Sequence, residues 1–187
     1  GTTVPSWLSF NASTGALTGT PLNAHVGDHS VVITASDQNS GSTTQSFTIT
    51  VANVNDAPTI TSTAVTSATE DSAYSYTVTT SDVDSGDTVT LAGTTVPSWL
   101  SFNASTGALT GTPLNAHVGN HEVVITATDE SSSSVTQSFT IVVANTNDAP
   151  TTLNVTATTL EDSSVALTLS GTDIDSGDSI TYSIVSN

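Results

Sequence analysis

Oxygen ligands are the one chemistry this sequence offers in quantity. Its 17 Asp and Glu residues are unevenly spread. Asp56 stands before Pro58 and Asp148 before Pro150. Glu70 opens one acidic stretch, Asp82, Asp84 and Asp87 form the next, and Asp129 follows Val123–Thr128. Glu161, Asp173, Asp175 and Asp178 repeat the arrangement. In a D-x-D pair on extended chain, both carboxylates point the same way. Two or three carboxylates gathered at one end of a domain repel each other unless a cation is present. An all-oxygen set suits a hard cation, above all Ca²⁺, which takes about 6–8 oxygens. The competing reading is that Asp-Ser-Gly-Asp is a plain turn. Its recurrence beside an N-x-N-D-x-P segment favours metal.

Most other chemistry is excluded by composition. The sequence has no Lys, Arg or Cys and a formal net charge of −17. Nothing can neutralise phosphates, so nucleic acids and anionic membrane surfaces are excluded as partners. Disulfides, thiol chemistry, Schiff bases and arginine clamps are unavailable. No apolar run approaches the roughly 20 residues that span a bilayer. Ser, His and Asp occur, but no G-x-S-x-G elbow accompanies them, so no enzyme is expected. His25 and His29, repeated as His117 and His121, are spaced i, i+4. A glycine interrupts each pair and a strand follows, which argues against zinc. Trp7 and Trp99 read as core residues, with a sugar-stacking platform as the alternative. Asn11, Asn103 and Asn154 open N-x-[ST] sequons that also read as turns.

The elements that carry these acids repeat. Residues 1–59 match residues 93–151 at 50 positions, and residues 1–27 recur unchanged at 93–119. A second correspondence, at an offset of 91, relates Glu70-Asp71-Ser72 to Glu161-Asp162-Ser163. Fixed-period similarity means an array of like units. Apolar residues alternate with polar ones at Phe47/Ile49/Val51, Tyr74/Tyr76/Val78, Val165/Leu167/Leu169 and Ile180/Tyr182/Ile184. A period of two with Gly, Pro, Asn and Asp punctuation predicts half-buried strands. No window supports an amphipathic helix. Strands are expected near 59–65, 73–80, 87–92, 99–102, 108–111, 121–128 and 136–144. The fold class is therefore all-β: tandem seven-stranded β-sandwiches in a linear array. The boundaries are 1–55, the C-terminal part of one repeat; 56–147, a complete repeat; and 148–187, the N-terminal part of another. By the repeat offsets, Asn187 aligns with Val96 and Gly1 with Gly93, so the two ends together tile one unit. A window cut from a longer array is the favoured reading, and head-to-tail completion by another chain the alternative.

These residues carry a family resemblance. Asn53-Val54-Asn55-Asp56-Ala57-Pro58 and Asn145-Thr146-Asn147-Asp148-Ala149-Pro150 resemble the cadherin interdomain linker. Asp82-Val83-Asp84-Ser85-Gly86 and Asp173-Ile174-Asp175-Ser176-Gly177 resemble its D-x-D-x-G motif. Thr126-Ala127-Thr128-Asp129 is similar to its A-x-D motif, and Glu70 and Glu161 fall where cadherins have an early Glu. The Pro-Ser-Trp-Leu-Ser-Phe stretch is similar to bacterial cadherin-like modules of the dystroglycan-type or putative-Ig class. The resemblance implies Ig-like or cadherin-like sandwiches, with Ca²⁺ between successive modules of a large surface adhesin. It assigns Asn53, Asn55, Asp56, Asp82, Asp84 and Asp129 to the first junction. To the second it assigns Glu70, Asn145, Asn147, Asp148, Asp173 and Asp175. Asp87 and Asp178 are secondary candidates. The linker starts with Asn where cadherins have Asp, and a late acidic motif is missing. One or two ions per junction, rather than three, are therefore expected.

The implied function is a calcium-rigidified stalk or filament of a secreted or cell-surface bacterial protein. A carbohydrate-binding module is the alternative. The expected partners are neighbouring repeats, through head-to-tail or lateral self-association, and a surface or polysaccharide ligand.

Overall fold

A computed structural model describes residues 3–185. Gly1 and Asn187, on which the tiling of the two ends rests, lie outside the described residues. The strands are β1 (Leu8–Asn11), β2 (Ala16–Gly19), β3 (Gly27–Ser36), β4 (Ser42–Val51), β5 (Thr59–Ile60), β6 (Ser67–Thr69), β7 (Tyr74–Thr77) and β8 (Thr80–Ser81). They continue with β9 (Thr90–Thr95), β10 (Leu100–Asn103), β11 (Ala108–Gly111), β12 (Gly119–Thr128), β13 (Ser134–Ala144), β14 (Thr151–Thr152) and β15 (Gly171–Thr172). Single 3-10 turns span Asn23–His25 and Asn115–His117, and the described residues contain no α-helix.

Contacts divide the chain into two compact units. The first comprises Gly1–Thr59, Thr80–Thr90 and Ala127–Val135. In it β1 pairs antiparallel with β2, from Leu8↔Gly19 to Asn11↔Ala16. β3 pairs antiparallel with β4, from Gly27↔Val51 to Ser36↔Ser42.

The second unit comprises Ile60–Thr79, Leu91–Thr126 and Thr136–Asn187 and holds the main core. A three-stranded sheet runs β10-β11-β7, and a four-stranded sheet runs β6-β13-β12-β9. Tyr74, Tyr76 and Val78, with Trp99, Leu100 and Leu109, form one side of the core. Val123, Ile125, Ile141 and Val143 form the other, so two inner faces meet as in a β-sandwich. The alternation is visible in β7, where Tyr74 and Tyr76 are buried and Ser75 and Thr77 exposed. Burying a tyrosine requires a partner for its hydroxyl. Tyr74 donates to the Val65 carbonyl (2.7 Å) and Tyr76 to Gln137 Oε1 (2.8 Å). Burial, and then Tyr76, push the Tyr74 phenol up to about 12. Gly111 has no room for a Cβ, which would collide with the Trp99 carbonyl oxygen.

The expected strands at 99–102, 108–111, 121–128 and 136–144 are present as β10, β11, β12 and β13, with ends shifted by a residue or two. That near 87–92 is displaced to Thr90–Thr95, because the Asp-rich turn runs further than its composition suggests. The stretch 59–65 keeps only Thr59–Ile60 in β5. β6 was not expected; its short Ser-Ala-Thr sequence shows little alternation, and it is fixed by parallel pairing with Val142–Ala144.

Two expected strands are absent. Residues 165–169 and 180–184 are not in strands. Val165, Leu167 and Leu169 are 54, 49 and 52 % exposed, whereas their counterparts Tyr74, Tyr76 and Val78 are 5, 5 and 3 %. The reason is pairing. Tyr76 lies opposite Leu109 of β11, and residues 148–185 contain no counterpart of β11. A strand takes its stability from its neighbours rather than from its own sequence.

Candidate metal centre

In the first unit, the tight turn Asp82–Asp87 aims several carboxylates together. The Asp84 amide donates to Asp82 Oδ1 (2.9 Å), and the Asp87 amide donates to the Asp84 carbonyl (3.3 Å). Gly86 sits at φ +98°, a conformation that glycine adopts without strain. Asp84 is only 4 % exposed. Its carboxylate accepts the Asp56 amide (2.7 Å) and Asn23 Nδ2 (2.9 Å). These two donors, with the Asn53 side chain, hold it below the usual carboxylate range against the opposing effect of burial. Asn23 Nδ2 also reaches Asp56 Oδ2 (3.1 Å). Asn55 Nδ2 donates to Asp129 Oδ2 (2.9 Å), and the Ser133 amide donates to Asp129 Oδ1 (2.8 Å).

Oxygens of Asp82, Asp87 and Asp129 lie within 4.8 Å of one another. Asp82 Oδ2 is buried without a hydrogen-bond donor. Burial pushes the Asp87 carboxyl up, helped by the charges of Asp84, Asp82, Glu130 and Asp129. The two shifts have opposite consequences. Asp84 stabilises the fold above its ordinary pKa, and that stability is lost as pH falls through its lowered value. Asp87 favours the fold when protonated, and that stability is lost as pH rises through its raised value. In EDTA, Asp87→Asn is therefore expected to raise the thermal midpoint at pH 7. It should also remove part of the decline as pH climbs above the ordinary Asp range, read by circular dichroism melts between pH 4 and 8.

The second unit repeats the arrangement. Asp175, also buried, accepts the Asp148 amide (2.6 Å) and Asn115 Nδ2 (2.9 Å). The Asp175 amide donates to Asp173 Oδ1 (3.0 Å). Glu70 is 2 % exposed, and its Oε2 accepts the Thr146 amide (3.1 Å). Two groups of converging carboxylates result: Glu70, Asp71 and Asp148, and Asp173, Asp175 and Asp178.

A hard divalent cation fits these residues. The donors are all oxygens, one carboxylate oxygen is buried and unpaired, and no Lys or Arg exists to neutralise them. The structure brings together Asn55, Asp56, Asp82, Asp84 and Asp129, with Asn53 beside Asp84. It brings Glu70 to Asp148, and Asp173 to Asp175. Asn147 turns its amide onto the Asp148 carbonyl (2.9 Å), and Asn145 is exposed. Asp87 and Asp178 join their clusters in full. Sequence reasoning missed Asn23, Asn115, Asp71 and Ser133. Asn23 is 61 residues from Asp84, and only the exact recurrence of Pro-Leu-Asn-Ala-His pointed to it.

The histidines and Trp99 have structural partners. His25 Nδ1 accepts the Leu22 amide (2.8 Å), and His29 Nε2 contacts the His25 carbonyl (2.6 Å). His117 and His121 do the same. Trp99 is 9 % exposed and packs edge-on against Tyr74 and His121. With its indole so enclosed, Trp99 offers no face for a sugar to stack on. In a Trp7→Phe variant, the remaining tryptophan emission is expected to stay fixed when soluble polysaccharide is added; a shift would return Trp99 to the surface. Asn11 and Asn103 each accept amides two and three residues ahead, so the first two sequons form turns.

The chain is similar to known proteins. A serine-rich adhesin for platelets from Staphylococcus aureus is 33 % identical over 138 residues, 74 % of this chain. The chain spans only 6 % of that adhesin's length. The extracellular domain of protocadherin gamma B4 superposes with a TM-score of 0.60 at 22 % identity, over 95 % of this chain and 34 % of that one. An endo-fucoidan hydrolase of glycoside hydrolase family 107 aligns at 28 % identity over 78 % of this chain and 23 % of its own, with a TM-score of 0.43. The protocadherin likeness shows a cadherin-type sandwich fold; the hydrolase likeness is too slight to bear on activity. Residues 1–52 and 57–144 match the family described as Putative Ig domain, and the chain belongs to that family.

Proposed function

We propose that the chain is a repeat segment of a long adhesin-type protein, working there as a calcium-stiffened spacer. Its place is outside the cell or at the cell surface. The observation that carries the reading is the set of three carboxylate clusters at two successive repeat boundaries, one with a buried unpaired oxygen. The repeat correspondence merges the two into one composite junction. The preceding module contributes a Glu70-Asp71 pair, and the linker contributes Asn-x-Asn-Asp. The following module contributes the three acids of Asp82, Asp84 and Asp87 and the Asp129 type. Bound Ca²⁺ would neutralise these carboxylates. Asn23 and Asn115, by donating to Asp84 and Asp175, orient those acids before any ion arrives. Residues 56–147 form the complete repeat in this reading. Near-identical neighbours suit a spacer, whose job is length.

Stiffening has a direct measurement. Small-angle X-ray scattering of the chain in millimolar Ca²⁺ is expected to show a larger maximum dimension and a narrower spread of conformations than in EDTA. Identical profiles would remove the stiffening role.

A further inference from the structure

We infer that His25 and His117 are positioning residues of the acid clusters: each fixes the short turn that aims an asparagine at a buried aspartate, and through it sets the cation affinity there. The bonding within each turn is reciprocal. The His25 amide donates to the Leu22 carbonyl (2.8 Å), and the Leu22 amide donates back to His25 Nδ1 (2.8 Å). His117 and Leu114 repeat both bonds, at 2.7 and 2.9 Å. An imidazole here stands where a capping box uses Glu or Gln. An amide only donates, so Nδ1 of His25 and of His117 carries the lone pair. The far end of the turn is held by a second imidazole. His29 Nε2 meets the His25 carbonyl (2.6 Å), and His121 Nε2 meets the His117 carbonyl (2.6 Å). A carbonyl only accepts, so these two rings donate.

The asparagine sits inside this clamp. Asn23 Nδ2 reaches Asp84 Oδ1 (2.9 Å) and Asp56 Oδ2 (3.1 Å), 61 and 33 residues away. Asn115 Nδ2 reaches Asp175 Oδ1 (2.9 Å), 60 residues away. A loose turn would lose backbone and rotamer entropy on making each of these contacts, whereas a fixed turn has lost it already. Leu22 and Leu114 are 69 and 56 % exposed, so water is at hand for their amides. The imidazole therefore supplies geometry rather than rescue of a buried donor. The turn is also set locally. Leu22 has φ −107° and ψ 175°, and Leu114 has −106° and 175°. The match holds although Trp7, beside His25, is more exposed than Trp99, beside His117. Each histidine acts through its asparagine and not as a ligand. The effect on affinity presupposes the calcium reading above; the effect on the asparagine does not.

Two readouts on the whole chain test the second cluster, with Asp84→Asn present throughout to silence the first. His117→Phe keeps a ring beside Trp99 and removes the acceptor. His117→Asn restores an acceptor, Oδ1, as many bonds from Cα as Nδ1. In EDTA, the Asn115 side-chain amide protons are read by NMR. They are expected to be displaced from free asparagine and slow to exchange in the parent and in His117→Asn, but free-like in His117→Phe. In a calorimetric Ca²⁺ titration, His117→Phe should raise Kd about tenfold, or about 1.4 kcal/mol, and His117→Asn should stay near the parent. Asn115→Ala should weaken binding alike, and His117→Phe should add nothing to it. Leu109→Ala lowers stability without touching the turn, so its Kd should not move while the chain is folded. Asn115 protons or a Kd indifferent to His117→Phe would overturn the inference. So would effects of His117→Phe and Asn115→Ala that simply add, or a Kd that follows stability in Leu109→Ala. No calcium binding by the parent, with Asn115 still released by His117→Phe, would sink the calcium reading and the affinity effect while the positioning stands.

Discussion

Leu109→Ala is expected to destabilise its sandwich by about 2–5 kcal/mol, the range for a large-to-small change at a closed core site. Leu109 is fully buried between Tyr76, opposite it on β7, and the facing sheet. For a module of this size each kcal/mol moves the midpoint by about 4–8 °C, so a drop of 10 °C or more should appear in a circular dichroism melt. Leu17→Ala changes the same residue in the same 27-residue sequence. Among the described residues β2 pairs only with β1 and Leu17 is only partly covered, so its loss should cost about 1 kcal/mol or less. Equal effects would mean that the two copies share one environment.

Asp84→Asn is expected to abolish most of the stabilisation that Ca²⁺ confers at the first cluster. A ligand that binds only the folded state contributes about 2.7 kcal/mol at one hundred times its Kd. In EDTA the same substitution should do much less, because two effects oppose each other. It relieves repulsion among the acids, but an amide nitrogen replaces one acceptor of the Asp56 and Asn23 donors. Asp175→Asn should act alike at the second cluster, where Asp148 and Asn115 are the donors. Asp28→Asn is the control: Asp28 accepts Thr50 Oγ1 (2.6 Å) on the exposed face of β3 and should leave the calcium response unchanged. Differential scanning calorimetry with and without Ca²⁺ reads all three.

The all-β class was legible because Tyr74-Ser75-Tyr76 and Val123-Val124-Ile125 announce strands through period and β-branching. The same logic overreached at Val165–Leu169, whose alternation is as good but whose partner strand is not among the described residues. β6 was illegible for the opposite reason: its sequence says little, and its partner β13 does the work. The acids were legible because they recur at one period beside Asn-x-Asn-Asp. The asparagines that hold them were not, since Asn23 meets Asp84 only once the chain has folded. The full role of Asp87 depended on where Asp129, some forty residues later, comes to rest.

Calcium binding itself is the most direct test of the central claim. Titration of Ca²⁺ into the decalcified chain, followed calorimetrically or by equilibrium dialysis, should show saturable binding. The expected range is about 10⁻⁴–10⁻³ M or tighter, as in extracellular oxygen-ligand sites. The Asp84→Asn and Asp175→Asn double variant should lose most of it. Absence of binding into the low millimolar range, or binding that the double variant retains in full, would contradict the account and leave the acid clusters as turns.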